Sequence, residues 1–323
     1  MKNKIVQVYP KIVEHLVVTP LMKSQQFTGQ GQQLYFKMEN QQITGSFKLR
    51  GVLSKFIALR EQGIAINQVV AASTGNHALA VCHAAKEFGS RPTIFVPVTV
   101  SLSKLVKLKD LGVELFQQGS QSGETEQIAI AYALKNKIPL IHPYNDQDVI
   151  AGQGTIGLEI MQQLDSIDQV FVPVGGGGLI SGIAAFVKAY NPNIRVIGVQ
   201  PQNACEMADS LDRGYIVGPS KLNTVSDGTA GVLDPETMTI GYCKQFVDHF
   251  IRVTEEEIVM ALRMIQQELG AKVEPAAGLA LAGFTKAKQE FSTGTSVAII
   301  CGGNIDDNRY RSLINSSASG NPQ

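Results

Sequence analysis

The sequence predicts an α/β protein, with mostly parallel sheets covered on both faces by helices. Three observations predict it. Short β-rich runs alternate with helical stretches along the chain, the order that repeated strand–helix units require. The stretches between the runs carry helical spacing: within 77–89, Ala78, Leu79, Cys82, Ala85 and Phe88 recur near one face, and Gly89 is a usual stop. At 323 residues, 44% hydrophobic and 17% charged, the chain can bury a large core as two domains or one large unit.

In order, a helical N-terminal stretch precedes strands expected at 34–39, 68–73, 92–98, 113–118, 139–144, 169–174, 194–200 and 296–302. The end of the chain, NSSASGNPQ, reads as a frayed tail. Such sheets bind ligands beyond the carboxyl ends of their strands, so the loops that follow strands directly should carry the chemistry.

Composition removes several functions. Lys plus Arg equals Asp plus Glu at 28 each, a formal net charge of +0 that gives no field for nucleic acid or an anionic membrane. No apolar run approaches the roughly 20 residues of a membrane helix. The start, MKNKIVQVYPKIVEHL, lacks the apolar core and cleavage site of a secretory signal. Cys82, Cys205, Cys243 and Cys301 lie far apart, as reduced thiols of a cytoplasmic protein would. No metal-ligand spacing is present, so neither zinc nor hydrolase-triad chemistry is expected.

The strand at 169–174 runs straight into Gly175, Gly176, Gly177 and Gly178, followed by the apolar helix LISGIAAFVKAY. Four glycines let the backbone approach a ligand closely, and the helix start adds partial positive charge: a phosphate cradle. Gly152-Gln153-Gly154-Thr155-Ile156-Gly157 matches a dinucleotide pattern, but it follows the polar YNDQD and has no matching acidic partner. A helix start needing close packing explains it better. The strand at 68–73 delivers Ser73, Thr74, Gly75, Asn76 and His77 to the mouth of the next helix, where hydroxyls, an amide and free N–H groups suit a carboxylate. Taken alone, each of these is an ordinary cap, Lys48 in GSFKLRG is a solvated lysine, and Cys301 is a small core residue.

Together the segments SFKLRG, STGNHA, VIAGQGT, PVGGGG and CGGN, in that order from Thr19 to Asn304, resemble the fold-type II pyridoxal-phosphate (PLP) enzymes. Within them the chain is similar to the serine/threonine dehydratase and serine racemase group. The resemblance implies a two-domain fold like the tryptophan synthase β chain, with a large PLP-binding domain of residues 1–44 and 141–323 and a small domain of residues 45–140. It implies that Lys48 binds PLP as a Schiff base and later acts as base at the substrate Cα. Phe47 would pack on the ring, Asn76 would bond its phenolic oxygen, and Gly175 to Gly178 with Leu179 would hold the phosphate. Cys301 would face the pyridine nitrogen. Ser73, Thr74, Gly75 and His77 would frame the substrate carboxylate. The reaction implied is loss of water and then ammonia from a small β-hydroxy amino acid, in a homodimer or homotetramer. The chain stops soon after CGGN, so no C-terminal regulatory domain is expected.

Two residues divide the group. Thr74 keeps a hydroxyl where racemases carry serine, so it is a candidate second acid/base and racemisation stays open. Tyr144 stands where many dehydratases carry Phe; it is a candidate substrate neighbour, or a packed aromatic, and favours dehydration. A dehydratase for threo-3-hydroxyaspartate is a further variant, and a PLP-binding protein without catalysis is the alternative from another class. Gln200 occupies a position where a carboxylate is expected in the group's cation site, although Glu206 fits the second, so no metal is expected.

Overall fold

The protein is described by a computed structural model that covers residues 1–29, 31–288, 290 and 293–316. The strands are β1 (Leu21–Lys23), β2 (Gln32–Lys37), β3 (Gln68–Ala72), β4 (Arg91–Val96), β5 (Glu114–Gln117), β6 (Gln169–Pro173), β7 (Arg195–Pro201), β8 (His249–Val253) and β9 (Gly294–Ile299). The helices are α1 (Lys2–Ile12), α2 (Lys48–Glu61), α3 (Asn76–Glu87), α4 (Leu102–Lys109), α5 (Ser122–Asn136), α6 (Gln147–Gln163), α7 (Gly178–Tyr190), α8 (Glu206–Arg213), α9 (Thr239–Phe246), α10 (Glu255–Leu269), α11 (Pro275–Lys286) and α12 (Asp307–Asn315). One sheet has six strands in the order β1-β2-β9-β6-β7-β8, and the other has three in the order β3-β4-β5. Every pairing is parallel except β1 with β2.

Three expectations are corrected. Residues 139–144 do not form a strand; only Leu140 bridges, to Val70. Pro139 and Pro143 lack N–H groups, and the His142 ring takes the N–H of Tyr144 and of Asn145, so few donors remain for a ladder. Strands β1 and β8 were not anticipated. The glycines of 152–157 lie in the middle of α6, whose start is capped by Asp146 accepting from Asp148 and Val149. The reason inferred for them, close packing, does hold: a Cβ on Gly152 would come within 2.6 Å of the Gly51 Cα, and one on Gly182 within 2.5 Å of the Gly154 nitrogen. Helices α2 and α7 therefore touch α6 backbone to backbone. Of the tail expected to fray, Asn315 ends α12 and residues 317–323 lie outside the described residues.

Beneath α2 sits a fully buried ionic cluster. Glu159 of α6 accepts from Lys37 Nζ at 2.6 Å and from Arg50 at 2.7 and 2.8 Å, while Glu39 accepts from Arg50 twice at 2.8 Å. All four side chains are 0% exposed. The cluster ties β2, α2 and α6 together, two residues along the chain from Lys48.

Candidate active site

The carboxyl ends of β3, β6 and β9 open onto one cavity of about 720 Å³. The sequence's candidates all line it: Phe47, Lys48, Ser73, Thr74, Gly75, Asn76, His77, Tyr144, Gly175 to Gly178, Leu179 and Cys301. Apart from Tyr144, they arrive from four separate stretches of chain because each stretch follows a strand or opens a helix.

Lys48 is the first residue of α2, and its Nζ donates to the Pro143 carbonyl at 2.9 Å. Among the described residues it has no ion pair. Burial lowers its pKa to about 8, against the opposing influence of Cys301, Glu126 and Glu274. About a tenth of the amine is therefore neutral at pH 7, far more than for an ordinary lysine. Phe47 lies beside it, with Nζ 5.1 Å from the ring centre. The Phe47 N–H donates to the Cys301 carbonyl at 3.0 Å, fixing the lysine turn to the end of β9. The Cys301 thiol is held well above its ordinary pKa by burial and then by Glu274, so it is neutral.

Three of the four glycines cannot be other residues without rearrangement, and a Cβ on the fourth, Gly175, would press on the Thr229 backbone at 3.1 Å. A Cβ on Gly176 would sit 2.5 Å from the Tyr144 ring, one on Gly178 2.9 Å from Tyr144 Cα, and one on Gly177 2.7 Å from Met207. Gly177 also has φ +85°, a conformation that favours glycine. Tyr144 thus supports the cradle from beneath, and its hydroxyl accepts from the Asp234 N–H at 2.8 Å. At the α3 start, Gly75 N–H bonds the Ser73 hydroxyl at 3.1 Å, and neither Ser73 nor Thr74 caps the helix. His77 Nε2 donates to the Ile141 carbonyl at 2.7 Å, and burial followed by the charge of Lys48 drives its pKa to about 3, so the ring is neutral.

Sequence reasoning missed three polar neighbours. Glu126 of α5 lies 3.3 Å from His142 Nε2. Glu274 accepts from Asn76 Nδ2 at 2.8 and 2.9 Å, and Asn304 Nδ2 donates to Asn76 Oδ1 at 2.7 Å. Asn304 was visible in CGGN without a role; Glu274, ahead of Pro275, reads as a helix cap. Gln200 accepts from the Ala208 N–H at 2.9 Å and Glu206 from the Ser220 N–H at 3.0 Å.

A buried lysine facing a glycine cradle at a helix start, at the carboxyl edge of parallel strands, defines a class of α/β enzyme that holds a phosphorylated aldehyde cofactor. Residues 12–302 match the family described as Pyridoxal-phosphate dependent enzyme, and the chain belongs to that family. It is 41% identical over 285 residues to the L-threonine ammonia-lyase of Thermotoga maritima, covering 88% of this chain and 70% of that protein. It is 38% identical over 302 residues to the catabolic L-threonine dehydratase TdcB of Staphylococcus aureus N315, covering 92% and 86%. The fold superposes on maize serine racemase with a TM-score of 0.87 at 32% identity, covering 95% of this chain and 94% of that one.

The residues present fit PLP. The cradle admits only backbone, as a phosphate site at a helix start requires. Lys48 has a neutral fraction, and Asn76 and the neutral Cys301 thiol line the same cavity, as a ring with polar edges would require.

Proposed function

We propose that the chain is an L-threonine and L-serine dehydratase, an ammonia-lyase that removes water and then ammonia to leave a 2-keto acid. The observation that carries it is the pairing of Lys48, with its amine near pKa 8, and a neutral Cys301 thiol in one cavity. When bound, PLP takes up the electrons released as the substrate Cα–H bond breaks. The neutral Cys301 does not stabilise a protonated ring nitrogen as a carboxylate would, which favours expelling a β-hydroxyl over storing charge. Lys48 would hold the cofactor, and its amine, when free, would accept the proton from the substrate Cα. Asn76 would hold the phenolic oxygen, and Gly175 to Gly178 with Leu179 would hold the phosphate. The α3 start binds the substrate carboxylate through Ser73, Thr74, Gly75 and neutral His77. The enamine left after water departs hydrolyses to keto acid and ammonia.

Glu126 and Asp234 flank His142 Nε2, at 3.3 and 3.9 Å. Glu126 lines the cavity, and Asp234 adjoins it through its bond to the Tyr144 hydroxyl. Two carboxylates there oppose a substrate with a second carboxylate, which supports threonine and serine over hydroxyaspartate. The Thr74 hydroxyl in the cavity, with the likeness to serine racemase, supports racemisation as a second reading. The two sheets support the division into residues 45–140 and the rest, since β3 to β5 fall inside that span and the other strands outside. Four buried free thiols support a cytoplasmic setting, and exposed Val17, Val18 and Met22, in and just before edge strand β1, support a homo-oligomer.

The test is keto acid release by PLP-loaded protein from L-threonine, L-serine and threo-3-hydroxyaspartate, with Lys48→Ala as control. Release from the first two, lost in the variant, is expected. No release from either overturns the dehydratase reading, and chiral analysis of the recovered amino acid then scores racemisation.

A further inference from the structure

Asn76 sits in a hydrogen-bonded chain whose direction is fixed at every link. Asn304 Nδ2 donates to the Thr44 carbonyl at 2.8 Å and to Asn76 Oδ1 at 2.7 Å, which uses both of its amide hydrogens. Asn76 can therefore only donate onward, and its Nδ2 lies 2.8 and 2.9 Å from the two oxygens of Glu274. The oxygens of one carboxylate lie too close together to meet two hydrogens that diverge by about 120°. One hydrogen is shared between them, and the other is left for the cavity that Asn76 lines.

Glu274 is built into this place. It occupies the N-cap position of α11, yet its side chain makes no capping bond and turns to Asn76 instead. Its backbone N–H bonds the Gly302 carbonyl at 3.2 Å, and a Cβ on Gly302 would collide with its carboxylate. The CGGN glycine thus leaves room for an acid carried by another element. The charged or titratable groups that face it are Lys48 of α2, Lys104 of α4, Asp227 of the loop before α9, and the Cys301 thiol.

We infer that Glu274 is a positioning residue, which locks the Asn76 amide with one N–H aimed at the cofactor's phenolic oxygen and places a negative charge that the Lys48 nitrogen feels. The inference rests on Asn76 and Lys48 being cofactor ligands. It assigns the acid two separable duties, acceptor and charge, and a glutamine keeps only the first. Burial raises the pKa of Glu274 to about 7, with Asn76 opposing, so its charge is present above neutrality and fades below.

The experiment loads wild type, Glu274→Gln and Glu274→Leu with PLP, then measures the cofactor dissociation constant and the pH midpoint of its visible absorbance change. Glu274→Gln should bind PLP within about threefold of wild type, with its midpoint about one unit lower, because a cation near Lys48 has lost its counter-charge. Below about pH 6 the two spectra should converge. Glu274→Leu should bind about tenfold more weakly, the loss of one hydrogen-bonded contact. Equal midpoints for wild type and Glu274→Gln, or unweakened binding in Glu274→Leu, overturn the role of Glu274 while leaving the cofactor site standing. Wild type that takes up no PLP refutes the site itself, and this inference with it.

Discussion

Replacing Glu159 with glutamine probes the frame beneath Lys48. The carboxylate accepts three charged contacts, from Lys37 at 2.6 Å and from Arg50 at 2.7 and 2.8 Å, in a cluster with no solvent access. Two cations and two carboxylates balance there; once the substitution removes one carboxylate, Lys37 and Arg50 face Glu39 alone and one positive charge is buried without compensation. Breaking a buried pair in this way costs about 3–5 kcal/mol. At about 2 °C per kcal/mol for a chain of this size, the Tm should fall by roughly 6–10 °C. The loss should also depend on pH. Burial holds Lys37 below its ordinary 10.5, with Glu39 and Glu159 opposing, so removing Glu159 depresses it further. A folded-state pKa below the unfolded one means that the folded protein releases its proton first. The penalty is then full at low pH and relieved as pH rises toward 10.5. Urea unfolding from about pH 7 to about pH 10 should show the gap to wild type narrowing. A gap under about 1 kcal/mol, or one flat with pH, refutes the reasoning.

Two further predictions concern cofactor loading. Covalent uptake of PLP by apoprotein needs a neutral Lys48 amine, so its rate should climb with pH up to about 8 and level off above, followed by stopped-flow absorbance; a flat profile would contradict the burial of Lys48. Gly176→Ala puts a methyl 2.5 Å from the Tyr144 ring, so equilibrium dialysis should show PLP binding weakened by about tenfold or more, and unchanged affinity would mean that Tyr144 yields freely.

Much of the site was legible because parallel sheets place function in short windows. SFKLRG, STGNHA, PVGGGG and CGGN each follow a strand or open a helix, so contiguous residues line the one cavity as groups. What comes from the middle or start of remote helices was not. In sequence Glu126 looks like a solvated charge and Glu274 like a helix cap, and nothing local connects them with His142 or Asn76. The ionic cluster was hidden for the same reason, since Lys37, Glu39, Arg50 and Glu159 come from three stretches of chain and become partners only on folding. The misread strand at 139–144 has apolar residues in a strand-like run, but its prolines and the His142 ring occupy its backbone.

The glycine contacts that press α2 and α7 onto α6 also divide the cavity wall into two kinds. One of those helices begins at Lys48 and the other at the glycine loop, so both of these parts of the cavity wall rest on helices packed backbone to backbone on α6. The loop at 73–77 follows a strand of the other sheet and is held instead through side chains, Asn76 on Glu274 and Asn304 and His77 on the Ile141 carbonyl. The cavity is therefore walled on one side by packed backbone and on the other by side-chain hydrogen bonds that water can replace.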